Sequence, residues 1–311
     1  MKYLILTLLI SCSHQRIPNP PIVDLLEEQS ECYLENIKKV QDEFGFVHNE
    51  GCDSLLFSAL TGLAVDVDLL AARDGWGQWF RKPAKNCYSN YLLNQENENT
   101  PGWEKLADSK STISKDMLLG VIFWAVFHER LDVLEDLYEY GKRKEWVMGK
   151  GPLSRTYIGG LIAGRDLRHL LIEAIGTLKR DPNVKRYSYT WIPMPDYQAH
   201  LQTLRLLVVG MLRGQIPKLG YLMVKYHMKK NPQNPLFSYA VARYTDGDYT
   251  LTKKLLLDER YWPKCRLPTS SDRCEGWILQ REKGYNWEPC DKEKIHSGGT
   301  FLFLSALMKR E

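Results

Sequence analysis

The chain has 311 residues, 44% of them hydrophobic, and a formal charge of +4. That is enough apolar material for one large core or two modest ones, while so small a charge with no basic stripe excludes a nucleic-acid-binding role. No segment has the roughly 18 uninterrupted apolar residues of a membrane helix, which excludes a body that spans a bilayer as a helix.

The amino terminus reads Met1-Lys-Tyr-Leu-Ile-Leu-Thr-Leu-Leu-Ile-Ser-Cys12. One cation, Lys2, precedes an apolar run that is too short to cross a bilayer and has the form of an export signal. An ordinary secretory signal or a buried apolar segment is the other reading. Leu9-Ile10-Ser11-Cys12 resembles the lipobox of bacterial lipoproteins, in which the signal is cut before the cysteine and the cysteine carries lipid. The resemblance implies a signal peptide over 1–11, lipidation of Cys12, a flexible tether over 12–23 and a globular body over 24–311. Pro18, Pro20 and Pro21 suit such a tether because they cannot continue a helix. The location implied is the bacterial cell envelope, membrane-anchored and facing the periplasm, at the outer membrane in a Gram-negative host.

Helical periodicity dominates the body. Residues 24–43 form an amphipathic pattern, stopped by Gly45. Residues 53–64 are apolar on every side, as a buried helix requires. Residues 116–127 have the same character and are followed by an amphipathic partner over 130–142. The alternation continues with an apolar segment at 156–163 and an amphipathic one at 167–178. It repeats as 197–212 with 217–230, then 236–244 with 249–258, and closes with the apolar segment 300–308. Two long non-repetitive insertions, 73–111 and 261–299, interrupt the series; long ordered loops are often functional.

Six apolar segments thus alternate with amphipathic helices. Helices surrounded by neighbours become apolar throughout, whereas outer ones keep a wet face. The pattern resembles the all-α, six-hairpin α/α toroids, complete or incomplete, which include glycosidases and polysaccharide lyases. The resemblance is architectural and matches no catalytic motif. A helical solenoid is the alternative, although irregular repeat lengths favour a closed ring.

With Cys12 lipidated, Cys32, Cys52, Cys87, Cys265, Cys274 and Cys290 remain. An even number in an exported chain suggests disulfides that staple the loops. The expected pairing is Cys52–Cys87, either Cys265–Cys274 or Cys274–Cys290, and a bridge from Cys32 to the cysteine left over. A zinc site is the alternative, but no close Cys-x-x-Cys pair supports it.

In such a toroid the starts of the inner helices line one mouth. Asp53, Asp116, Asp196 and His296 stand at or just before four of those starts. Aspartate and serine are also ordinary helix caps, so Asp53, Ser114 and Thr300 need no further role. The resemblance implies Asp53 and Asp116 as a carboxylate acid–base pair for glycosidic hydrolysis. Trp76, Trp79 and Trp103 would stack on sugar rings, Arg81 would bind an acidic group and Asp196 would contact substrate. Anchoring in the core is the competing role for the tryptophans. A lyase would instead use His296 as base and a cation such as Arg155 or Arg273 against a uronate.

Thr245-Asp-Gly-Asp-Tyr-Thr lacks the ligand ladder of a calcium loop, and Asp248 is expected to cap the helix after it. No nucleophile elbow, phosphate loop or dinucleotide fingerprint occurs, so no metal and no cofactor is expected. Two functions follow. One is a carbohydrate-active envelope enzyme, a glycoside hydrolase or polysaccharide lyase. The other is a non-catalytic lipoprotein that binds a glycan or an envelope protein.

Overall fold

The computed structural model describes residues 22–47, 54–81, 83, 112–150, 155–159, 162–194, 198–258, 273–274, 295–296 and 298–310. Among these residues the chain is overwhelmingly helical, with two small β-pairs, and no helix is long and apolar enough to cross a membrane. The signal, the lipidation site Cys12 and most of the tether lie outside the described residues, as do Asp53, Trp103, Asp196, Cys52, Cys87, Cys265 and Cys290.

Helix α1 (Ile22–Val40) buries Leu26, Tyr33 and Ile37 on one stripe, with Lys38 and Lys39 in the last turn complementing the helix dipole. It ends three residues short of expectation. The Asp42 carboxylate accepts from the backbone N–H groups of Phe44 (2.9 Å) and Phe46 (2.8 Å), and this local turn replaces further helix. Cys32 of α1 is disulfide-bonded.

Helix α2 (Ser54–Thr61) is buried along its whole length. Its hydroxyls tolerate burial because each has a partner. Ser54 donates to the Val47 carbonyl (2.7 Å), Ser58 accepts from the Val47 N–H (3.0 Å) and Thr61 donates to the Phe57 carbonyl (2.8 Å). A 3-10 turn (Leu69–Ala72) follows, started by the Asp68 carboxylate accepting from Leu70 N–H at 3.1 Å.

Helix α3 (Lys115–Phe127) is buried without a break from 117 to 126. Gly120 makes its closeness to α2 possible: a Cβ there would sit 2.9 Å from Leu56 Cδ1 and 3.1 Å from Leu56 Cα. Helix α4 (Leu131–Arg143) is amphipathic and buries Val133, Leu134, Leu137 and Tyr140.

The apolar segment expected as a helix over 156–163 is corrected by the structure. Strands β1 (Val147–Lys150) and β2 (Arg155–Tyr157) pair antiparallel there. Thr156 and Ile158 point inward while Arg155 and Tyr157 face solvent, a period of two rather than 3.6. Helix α5 (Ile162–Leu178) starts only beyond the Gly159-Gly160 pair.

The later helices fall close to expectation: α6 (Gln198–Arg213), α7 (Lys218–Lys230), α8 (Pro235–Arg243), α9 (Thr250–Leu256) and α10 (Gly299–Lys309). Asn234 caps α8 by accepting from Leu236 N–H at 3.0 Å, with Pro235 at the first helical position. Asp248, expected as the cap of α9, stands one residue too early: Tyr249 holds the N-cap position without a side-chain capping bond, and the Asp248 carboxylate accepts from Thr250 N–H at 2.9 Å. Thr300 is not the cap of α10; left-handed Gly298 occupies that place. Strands β3 (Arg273–Cys274) and β4 (Ile295–His296) pair in parallel.

The buried helices pack in a cycle. α2 contacts α3, α3 contacts α6, α6 contacts α8, α8 contacts α10, and α10 returns to α2. The remaining helices lie outside: α4 on α3, α5 on α3 and α6, α7 on α6 and α8, α9 on α8, and α1 on α10 and α9. Phe123 of α3 meets Phe303 of α10 at 5.5 Å, so aromatic packing fills the space between these two members.

Candidate functional site

The direction of the inner helices decides which residues share a face. Leu56 lies opposite Gly120, and Gly62, just past α2, lies against Trp124. His128, just past α3, meets the Gly62 carbonyl at 2.9 Å. Positions rise together along both helices, so α2 and α3 run parallel. Arg310, at the end of α10, donates to the Phe127 carbonyl at the end of α3. The N-terminal ends of α2 and α3 therefore form one face.

The turn over 73–81 is tied to that face. Arg81 offers its carbonyl to the Leu55 N–H at the start of α2 (2.9 Å). Gln78 donates to the Thr112 hydroxyl (3.2 Å), just before α3. Thr156 of β2 donates to the Ile113 carbonyl, which brings the β-hairpin to the same end. The turn itself is rigidly built. Asp74 accepts from the N–H groups of Trp76 and Gln78, both at 2.9 Å, and Arg143 at the end of α4 donates to the Trp76 carbonyl (2.8 Å). The Arg73 guanidinium grips both carboxylate oxygens of Asp136.

Two tryptophans three residues apart separate cleanly. Trp76 is 83% exposed, an indole held in solvent by an ordered backbone. Trp79 is 1% exposed and anchors the turn in the core, so it has no face to offer a sugar. Arg81 and Asp116 are both half-buried, Asp116 in the first turn of α3. Ser114, expected as the cap of that helix, makes no capping bond. His296 lies on β4 and Cys274 on β3, as register partners of one another. The structure thus brings Trp76, Arg81 and Asp116 to one end of the α2–α3 pair. Asp53 and Asp196 lie outside the described residues.

The histidines inside the helices have packing roles. His128 bridges α2 and α3, His169 stacks on Tyr187 at 3.9 Å, and His227 stacks on Phe237. Burial lowers the pKa of His200 to about 3, so it is neutral at any physiological pH. Among the described residues no group of three or more His, Cys, Asp or Glu could hold a metal ion. Asp246 spends its carboxylate on the Asp248 N–H and the Thr245 hydroxyl.

Sequence reasoning missed the densest polar chemistry among the described residues. An extended strap, 184–194, lies over α5 and α6 with Tyr187, Tyr189 and Trp191 turned inward. Beneath it Arg213 binds Glu173 through two nitrogens, at 2.5 and 2.7 Å, and also donates to the Tyr187 carbonyl at 2.8 Å. Tyr189 donates to the same carboxylate at 2.7 Å. Burial raises the Glu173 pKa, but the bonds from Arg213 and Tyr189 outweigh it and leave the carboxyl below its usual range. Arg205 pairs with Asp166 at 2.7 Å and lies over the Trp191 ring at 4.8 Å. The two buried ion pairs beneath the strap, Arg213–Glu173 and Arg205–Asp166, make it a clamp across α5 and α6. The alternation Tyr-Ser-Tyr-Thr-Trp over 187–191 was the visible signal.

Comparison with protein families, with curated proteins and with solved structures finds no match.

Proposed function

We propose that the chain is a cell-envelope lipoprotein, anchored through Cys12, whose helical body is an α/α toroid that binds a glycan at the N-terminal face of α2 and α3. The cycle α2–α3–α6–α8–α10 supports the toroid. It corresponds to an incomplete six-hairpin ring of five inner helices, in which α3 meets α6 directly. α1, packed on α10, serves as that last helix's outer partner. The disulfide at Cys32 fits the stapled framework expected of an exported chain.

The observation that carries the binding reading is Trp76. A large apolar ring that is 83% exposed on an ordered turn is costly in water and suited to stacking on the C–H face of a sugar. Arg81 and Asp116 at the same end of the molecule supply a charged donor and an acceptor for hydroxyls. The test is a glycan panel scored for binding and turnover. Trp76→Ala should weaken binding to the preferred glycan by at least about tenfold with the fold intact. Unchanged affinity in that variant refutes the reading.

Asp116 favours a second reading, hydrolysis, because it is a partly exposed carboxylate in the first turn of α3. Turnover that Asp116→Asn abolishes while binding persists would select it. Turnover undiminished in that variant removes Asp116 from the mechanism.

A further inference from the structure

Helix α7 carries a face that the fold does not use. Gly220, Met223, Val224 and His227 are buried, and α7 contacts α6 and α8. On the solvent side Leu219 is 64% exposed, Leu222 49% and Tyr226 45%. Their spacing of three and four residues sets them in a single stripe along the helix. Beside the stripe stand Lys218, Lys225 and Lys229, with Lys230 completing the set; its ammonium lies 5.7 Å from the centre of the Tyr226 ring. The helix contains no aspartate or glutamate. Among the described residues no ion pair engages any of its four lysines. The clamp strap adds one more apolar group: Trp191 lies against Gly220, and the next residue, Ile192, is 52% exposed.

We propose that this outer face of α7 docks on an anionic lipid bilayer. An exposed amphipathic helix with a leucine–tyrosine stripe and lysines along it is built to lie in the interface plane. Its apolar side chains enter the acyl boundary and its ammonium groups meet the phosphates. Lysine stems are long enough to keep their charge at headgroup level while the stripe sinks. Charge decides between occupants. A second copy of the chain meeting this face about a two-fold axis would set four lysines against four lysines, which opposes association. A surface of lipid phosphates has the complementary sign along the whole helix. The proposal goes beyond anchoring at Cys12 and stands without it, since α7 alone carries it.

The test uses the full chain and sedimentation with vesicles of phosphatidylcholine, alone or mixed with phosphatidylglycerol. The wild-type chain should partition more strongly onto the vesicles that contain phosphatidylglycerol. Each basic residue near an anionic surface contributes roughly fivefold, so Lys225→Gln/Lys229→Gln should lower that partition by roughly 30-fold and leave binding to phosphatidylcholine unchanged. Leu219→Ser/Leu222→Ser should lower binding to both compositions. All four positions are exposed, and an unchanged helical circular dichroism spectrum keeps the comparison among folded chains. Cys12→Ala should retain the preference for phosphatidylglycerol and its dependence on the two lysines. A loss of the lipid anchor is thereby read separately from a failure of α7. Equal partition onto both compositions overturns the proposal, as does a preference that survives the lysine exchange. Capture of an acidic polypeptide without any vesicle preference also overturns it.

Discussion

Glu173 is the residue whose removal should hurt the fold most for the least change in volume. Its side chain is 1% exposed and accepts from two Arg213 nitrogens and the Tyr189 hydroxyl. Glu173→Gln keeps the shape and leaves the Arg213 guanidinium, itself only 12% exposed, without its counter-charge. Breaking a buried pair from one side costs about 3–5 kcal/mol. Arg213→Met strands the carboxylate and should cost a similar amount. Glu173→Leu combined with Arg213→Met strands neither charge and should cost only about 1–3 kcal/mol, mainly from the Tyr189 hydroxyl left without its acceptor. The assay is urea unfolding at pH 7 followed by circular dichroism, with Glu173→Leu also made alone so that it, Arg213→Met and their combination close a double-mutant cycle. The native pKa of Glu173 lies below its ordinary 4.5. The unfolded chain therefore takes up this proton first as pH falls. The network's contribution is complete above about pH 4.5 and disappears as pH drops through the native value. The deficit of Glu173→Gln should accordingly shrink in acid. Additive costs for the two single exchanges, or a deficit below about 1 kcal/mol at pH 7, would refute the clamp.

Three further outcomes are expected. His200 titrates near 6.5 when unfolded and about 3 in the fold, so protons favour the unfolded chain below pH 6.5; about 2 kcal/mol should be lost between pH 7 and 5, a slope share that His200→Leu removes in chemical unfolding run at both pH values. Gly210→Ala should destabilise by about 1–3 kcal/mol, because its Cβ would lie 1.6 Å from the Tyr244 hydroxyl oxygen; Tyr244→Ala in the same chain should restore part of the melting temperature. Trp79→Ala should cost about 3–5 kcal/mol in urea unfolding while Trp76→Ala stays within about 0.5 kcal/mol, the contrast that 1% against 83% exposure requires.

The inner helices were legible because burial on every side leaves its mark on composition. The segments that became α2, α3 and α10 carry almost no charge, and periodicity has little to add where no face is wet. The segment at 156–163 deceived for the same reason. Thr156 and Ile158 suit the interior of an inner helix, but β-branched side chains at alternate positions make a strand. The clamp was illegible in its pairing. Glu173 and Arg213 are 40 residues apart, as Asp166 and Arg205 are 39, and only the packing of α5 on α6 brings each pair together. At the candidate site the sequence offered Trp76 and Trp79 as equals. The Asp74 turn decides between them by reversing the chain so that one indole faces out and the other in. The convergence of Arg81 and Asp116 on one face was legible only through the shared direction of α2 and α3.

The packing of α1 on α10 has a temporal side. Synthesis delivers α1 first and α10 last, yet each covers the other, and α10 also completes the contact of α8 with α2. A nascent chain therefore holds an unclosed set of apolar helices until α10 emerges, and the native contacts of large sequence separation that α10 makes form late.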